Sequence, residues 1–161
     1  MTLQASGAIS LTDVLNELRI ANSGRSGVIS LGDGDVLALA GKGSPPISLS
    51  DLYGKSIFKA TATSEYTSVS SIQAGGTCYS SPYITAIGGS GVVTYQWTVL
   101  SNLGSATFRF PNNATCQLSR AFSKLSQGSF DVELQCVVAD SAGHSITLTG
   151  ITAHGDWYNN S

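Results

Sequence analysis

Between Phe130 and Ala139 the apolar residues fall on every second position. Phe130, Val132, Leu134, Cys136 and Val138 point one way, and Asp131, Glu133 and Gln135 point the other. A period of two is the signature of a strand with one buried and one wet face, and no helix satisfies it. The tight turn Asp140-Ser141-Ala142-Gly143 follows, and Ile146, Leu148 and Gly150 continue into a partner strand. This reads as a hairpin. Further strand-like runs precede it: Ile57 to Thr63, Thr67 to Ile72, Tyr83 to Ile87, Val92 to Leu100, Ala106 to Phe110 and Thr115 to Leu118, with His144 to Ala153 as the last. Turn residues recur between them, among them Gly88-Gly89-Ser90-Gly91. Short strands at this spacing predict a β-sandwich over residues 57–161.

The first third of the chain has a different texture, set by one recurring phrase. It reads Ile9-Ser10-Leu11-Thr12-Asp13, Ile29-Ser30-Leu31-Gly32-Asp33 and Ile47-Ser48-Leu49-Ser50-Asp51. In the first and last copies a serine can cap a helix while an aspartate three residues on reaches back to the cap. Ile9 opposite Val14, and Ile47 opposite Leu52, complete a hydrophobic staple. The middle copy has Gly34 at the staple position and Gly32 inside the turn, both weak helix formers. Leu11, Val14, Leu15 and Leu18 make one helical stripe ending near Ile20. Leu49, Leu52 and Tyr53 make one face of a single turn stopped by Gly54. The glycine-rich insert between them, residues 24–46, has one apolar stretch, Val36 to Ala40, open to a strand or a helical turn, and offers little core.

Helices this short do not hold together alone in water. Their apolar faces therefore need a partner, either the chain's own sandwich or a neighbouring subunit. Ile9, Leu11, Val14, Leu15, Leu18, Ile47, Leu49, Leu52 and Tyr53 are the candidate interface residues. The expected fold class is mainly β, a β-sandwich preceded by a small N-terminal segment with two short helices. The expected division is a docking segment at 1–56 and the sandwich at 57–161.

Composition narrows the function. Only 11% of the 161 residues are charged and the net charge is −2, well below the quarter charged that is usual for soluble domains. The basic residues are scattered, so nucleic-acid binding has no electrostatic footprint. No apolar run approaches the length needed to cross a bilayer, and Met1 to Ser10 lacks the charge and apolar run of a signal peptide. The expectation is synthesis in a cytoplasm, without membrane insertion. Cys78, Cys116 and Cys136 are odd in number and match no zinc spacing. On alternation Cys116 and Cys136 face a core as reduced thiols, while Cys78, among small polar residues, reads as the more accessible.

Candidate chemistry is sparse. His144 and His154 have no carboxylate or nucleophile at a telling spacing. Asp33-Gly34-Asp35 lacks the later ligands of a calcium loop and reads as a solvated turn. Gly88 to Gly91 precedes no helix or lysine, so it is no phosphate cradle. Neither catalytic residues, metal ligands nor a cofactor are expected. Tyr79, Tyr83, Tyr95, Trp157 and Tyr158 are candidates for a sugar-stacking platform or for burial in a core or subunit interface.

Two resemblances add to this. The stretch from Ile84 to Ile151, with Thr94-Tyr95-Gln96-Trp97 and the run from Val132 to Gly143, resembles immunoglobulin-like domains of the bacterial and phage type. That implies a core tryptophan at Trp97 and the Asp140 turn joining the last two strands. Cys136 stands on the strand that carries a disulfide cysteine in antibody domains, but the run Tyr83 to Ile87 has none. The wording Gly7-Ala8-Ile9-Ser10-Leu11-Thr12-Asp13-Val14, with Pro46-Ile47-Ser48-Leu49-Ser50-Asp51-Leu52-Tyr53-Gly54, resembles the start of many tailed-bacteriophage virion proteins. It implies a non-enzymatic virion subunit of the tail, neck or tip, assembled in the host cytoplasm among other virion subunits as a homo-oligomeric ring or multi-copy array. The alternative is a receptor- or carbohydrate-binding decoration on capsid or tail fibre, with a host surface glycan as partner.

Overall fold

The computed structural model describes residues 2–70, 75–101 and 103–158. Two helices come first, α1 (Leu11–Ala21) and α2 (Gly34–Ala40), then a 3₁₀ turn at Leu49–Leu52. Among the described residues nine strands follow: β1 (Phe58–Thr63), β2 (Glu65–Ser70), β3 (Gly76–Ser80), β4 (Tyr83–Gly88), β5 (Thr94–Val99), β6 (Thr107–Arg109), β7 (Gln117–Phe122), β8 (Gly128–Ala139) and β9 (Ser145–Tyr158). The chain divides into two compact units. One takes in Met1–Lys59, Ala86–Val93 and Asp140–His144; the other takes in Ala60–Thr85, Thr94–Ala139 and Ser145–Ser161.

The N-terminal unit is built by the repeated phrase. In every copy the serine N–H donates to the aspartate carboxylate three residues on: Ser10 to Asp13 at 2.8 Å, Ser30 to Asp33 at 3.1 Å and Ser48 to Asp51 at 2.9 Å. At Ser10 and Ser48 the serine hydroxyl oxygen in turn accepts from the aspartate N–H, closing a capping box. The side-chain and backbone bonds from Ser10 hold the Asp13 carboxyl below the ordinary carboxylate range, and those from Ser48 do the same for Asp51. In the middle copy the same bond closes a turn and α2 begins only after Asp33. Gly41, at φ +72°, ends α2 in the left-handed conformation, with its N–H bonded to the last turn.

These turns collapse around Leu3, Ile9, Val14, Leu18, Ile29, Val36, Ala40 and Leu52, all buried. The expectation that the insert offers little core is thereby corrected. Its glycines sit in turns and bends and at the two ends of α2, and Ile29, Val36 and Ala40 face inward together. Asp33 and Asp35 both pair with Arg25, at 2.8 and 2.9 Å.

In the second unit β2-β9-β8-β5 form one sheet and β3-β7-β6 another. Strand β1 pairs with β4. The anticipated hairpin is present as β8–β9, and β5 lies on its far side with Trp97 directly opposite Cys136. Phe130, Val132, Leu134, Cys136 and Val138 are all buried, as the alternation requires. With Trp97, Cys78, Leu118, Ile151 and Ala153 they form the interior of a β-sandwich.

The strand limits shift in places. The run expected from Thr67 to Ile72 is β2, starting at Glu65, and Ile72 lies outside the described residues. β3 was not foreseen. It places Cys78 in the interior at 0% exposure, so that thiol is not the accessible one.

All three cysteines are free and buried. Desolvation pushes the Cys78 and Cys136 thiols up and the Cys116 thiol up to about 12. A thiolate is the reactive form, so a maleimide or disulfide reagent is expected to label none of the three in the native protein and all three in urea. Fast labelling of Cys78 in the native protein would contradict its burial.

Asp140, in the turn after β8, has a fully buried side chain. Its carboxylate accepts N–H bonds from Ser90 (2.8 Å), Ala142 (3.0 Å) and His144 (2.9 Å) and faces His144 Nδ1 at 2.8 Å. Burial pushes this carboxyl up, but the bonds from His144 and Ser90 outweigh it and hold it at about 2. A depressed carboxyl stabilises the fold above its unfolded value, about 3.9, and loses that contribution as pH falls toward 2. Asp140→Asn is therefore expected to flatten the acid limb of a stability–pH curve between about pH 4 and 2. An unchanged limb would mean that Asp140 contributes nothing to it.

Candidate functional site

The structure separates the nine candidate interface residues into three groups. Ile9, Val14, Leu18 and Leu52 belong to the core of the N-terminal unit, Val14 and Leu52 at 0% exposure. Leu15, Ile47, Leu49 and Tyr53 are half-buried and pack against that core. Leu11 alone of the nine is exposed, at 38%. The apolar stripe is thus satisfied mainly within the unit. The Tyr53 hydroxyl also donates to the Gly7 carbonyl, and Leu3 N–H donates to the Lys55 carbonyl at 2.9 Å.

What remains open is a patch on the outer side of α1. Leu11 and Leu15, one helical turn apart, line a groove of about 250 Å³ with Gly27, Val28 and Ile29. Val28 is 97% exposed. Sequence reasoning missed it because a single valine in a polar loop carries no period; its one signal is its place between Gly27 and the middle copy of the phrase. The surface is apolar and neutral, and its chemistry is that of packing against another apolar surface.

A second cleft, of about 560 Å³, lies in the same unit and is lined by Leu18, Leu39, Ile57 and Phe58 with Lys55 and His144. The His144 imidazole is occupied by Asp140 and lies 6.3 Å from the Phe58 ring. Among the described residues no group of three or more His, Cys, Asp or Glu side chains could hold a metal ion.

The five aromatic candidates do not make one platform. Trp157 is buried, stacked on Phe122 and capped by Arg120, and Tyr95 is half-buried. Tyr79 lies in the three-stranded sheet and Tyr158 in the four-stranded one.

The chain matches no protein-family model and no curated protein sequence. Among solved structures it is similar to the M1 domain from titin, with 13% identity and a TM-score of 0.30. The match covers 64% of this chain and 96% of that one.

Proposed function

We propose that this chain is a non-enzymatic structural subunit of a tailed-phage virion, tail-associated, and that it docks on neighbouring virion subunits through its N-terminal unit. The observation that carries the reading is the residue of apolar surface left after that unit has folded. Three Ser-x-x-Asp turns close a body with its own interior, and Leu11, Leu15 and Val28 stay outside it around one groove. The wording of the two flanking phrases, which resembles the start of tailed-phage virion proteins, supports the same reading. So does the low charge, since a surface of small neutral polar groups suits a subunit packed in an array. The docking partners are other virion subunits or further copies of this chain, in a ring or multi-copy assembly.

The direct experiment is mass spectrometry of purified particles from cells that express the chain in its natural setting, followed by placement of the chain in particle density. The expected result is a stoichiometric virion component whose α1 face meets a neighbour. Its absence from purified particles would end the reading.

A further inference from the structure

The outer face of the four-stranded sheet is wet and polar, yet it is not featureless. Tyr66 on β2, His154 on β9 and Asp131 on β8 lie in register as one row across three strands. Tyr66 is 66% exposed, but its position is fixed. Its ring stacks on His154 with centroids 4.6 Å apart and planes 5° from parallel, and its hydroxyl donates to Asp156 at 2.7 Å. That bond also raises the phenol above its ordinary range, so it stays a neutral donor.

Beside this row the β8–β9 ladder slips between Leu134 and Cys136. Gly150 takes up the slip at φ +69°, with open space where a side chain would be. One depression, of about 450 Å³, is lined by Ser101, Asp131, Glu133, Gly150 and Thr152. Another, of about 300 Å³, runs on past Thr152 and Asp131 to Ser64, Tyr66 and His154. Asp131 and Thr152 line both, so the two form one trough. Two of its hydroxyls are held by backbone N–H donors: Ser101 by Glu133 at 2.8 Å and Ser64 by Thr152 at 2.9 Å.

We infer that this trough is a binding site for a neutral oligosaccharide. The lining supplies carboxylates that accept pairs of O–H bonds from vicinal diols, and fixed hydroxyls that both give and accept. The pre-oriented tyrosine adds a carbon surface for the C–H groups of a pyranose ring. No lysine or arginine lines either depression, so sulfated, phosphorylated and uronic-acid sugars meet repulsion rather than a partner. A basic peptide is the less suitable occupant. Glu65 already accepts the Ser81 N–H, and Asp131 faces His154 Nδ1 at 3.9 Å, so two of the three carboxylates that line the trough already have a partner. The site lies in the second unit, and it stands or falls independently of docking through the first.

The test is a titration of the full chain, followed by amide chemical shifts, with three probes: neutral hexose and N-acetylhexosamine tetrasaccharides, uronic-acid tetrasaccharides, and oligolysine. The expected result is saturable shifts at Tyr66, Asp131, Gly150 and Thr152 with a neutral sugar alone. Tyr66→Ala should weaken that binding about tenfold, and Tyr66→Phe, which keeps the ring, should retain most of it. Shifts elsewhere, a response to oligolysine alone, no response to any neutral sugar, or a folded Tyr66→Ala variant that binds as the parent does would each overturn the assignment.

Discussion

Trp97→Ala is expected to cost the sandwich about 3–5 kcal/mol, moving a urea midpoint down by about 2 M. Trp97 is 4% exposed, on the edge strand β5 of the four-stranded sheet and opposite Cys136 on β8. Its indole Nε1 donates to the Asn113 carbonyl at 2.8 Å and its backbone N–H to the Pro111 carbonyl at 2.8 Å. Truncation removes the largest packing element beside β8 and leaves the Asn113 carbonyl without its donor, so cavity and desolvation costs add. Trp97→Phe keeps most of the volume and loses the indole bond, and should cost about 1–2 kcal/mol. Equal midpoints for parent and alanine variant would mean that Trp97 is not in the interior of the sandwich.

The sandwich was legible where its strands have one wet face and large inward residues. β8 satisfies this over its whole length, so its alternation and its turn into β9 could be read directly. β3 could not, because its inward residues are Cys78 and Ser80, both at 0% exposure and neither a recognisable apolar signal. The Ser80 hydroxyl is satisfied by the Glu65 carbonyl at 3.0 Å, which is what lets a serine sit there. β9 runs on to Tyr158, past Ala153, where its apolar pattern stops because Gly155 interrupts the set. A Cβ at Gly155 would meet the Phe130 ring at 2.5 Å and the Cys78 sulfur at 2.8 Å, so glycine there records close packing rather than a strand end.

The N-terminal unit shows a different limit. The apolar period identified which residues of α1 and the 3₁₀ turn are apolar-faced, but a period says only that a face is covered, not by what. Here Ile29, Val36 and Ala40 of the insert do much of the covering, and a high glycine count concealed them. Val28, the most exposed member of the patch, belongs to no period.

Leu52→Asp is expected to be the most damaging substitution in the first unit. The side chain is at 0% exposure within a wholly apolar cluster, and an unpaired carboxylate there has no donor to accept from. The cost should exceed about 4 kcal/mol, enough to unfold a body of this size. The measurement is amide exchange over α1 and α2, with protection lost in the variant; retained protection would place Leu52 outside the core. Leu11→Asp with Val28→Asp is the contrast. Both sites face solvent, so each change should alter stability by less than about 0.5 kcal/mol. Removing residues 1–54 would discriminate less cleanly, because Ala86–Val93 and Asp140–His144 belong to the same compact unit and Thr2 bonds the Gly89 carbonyl.

The docking claim is tested most directly by counting copies of the Leu11→Asp, Val28→Asp chain per purified particle against the parent, after melting curves and amide exchange have shown the two to be equally folded. If α1 and Val28 form the contact, the variant should be depleted from particles by at least about tenfold, as one or two desolvated charges in an apolar contact imply. Equal copy numbers for a folded variant would contradict docking through this face.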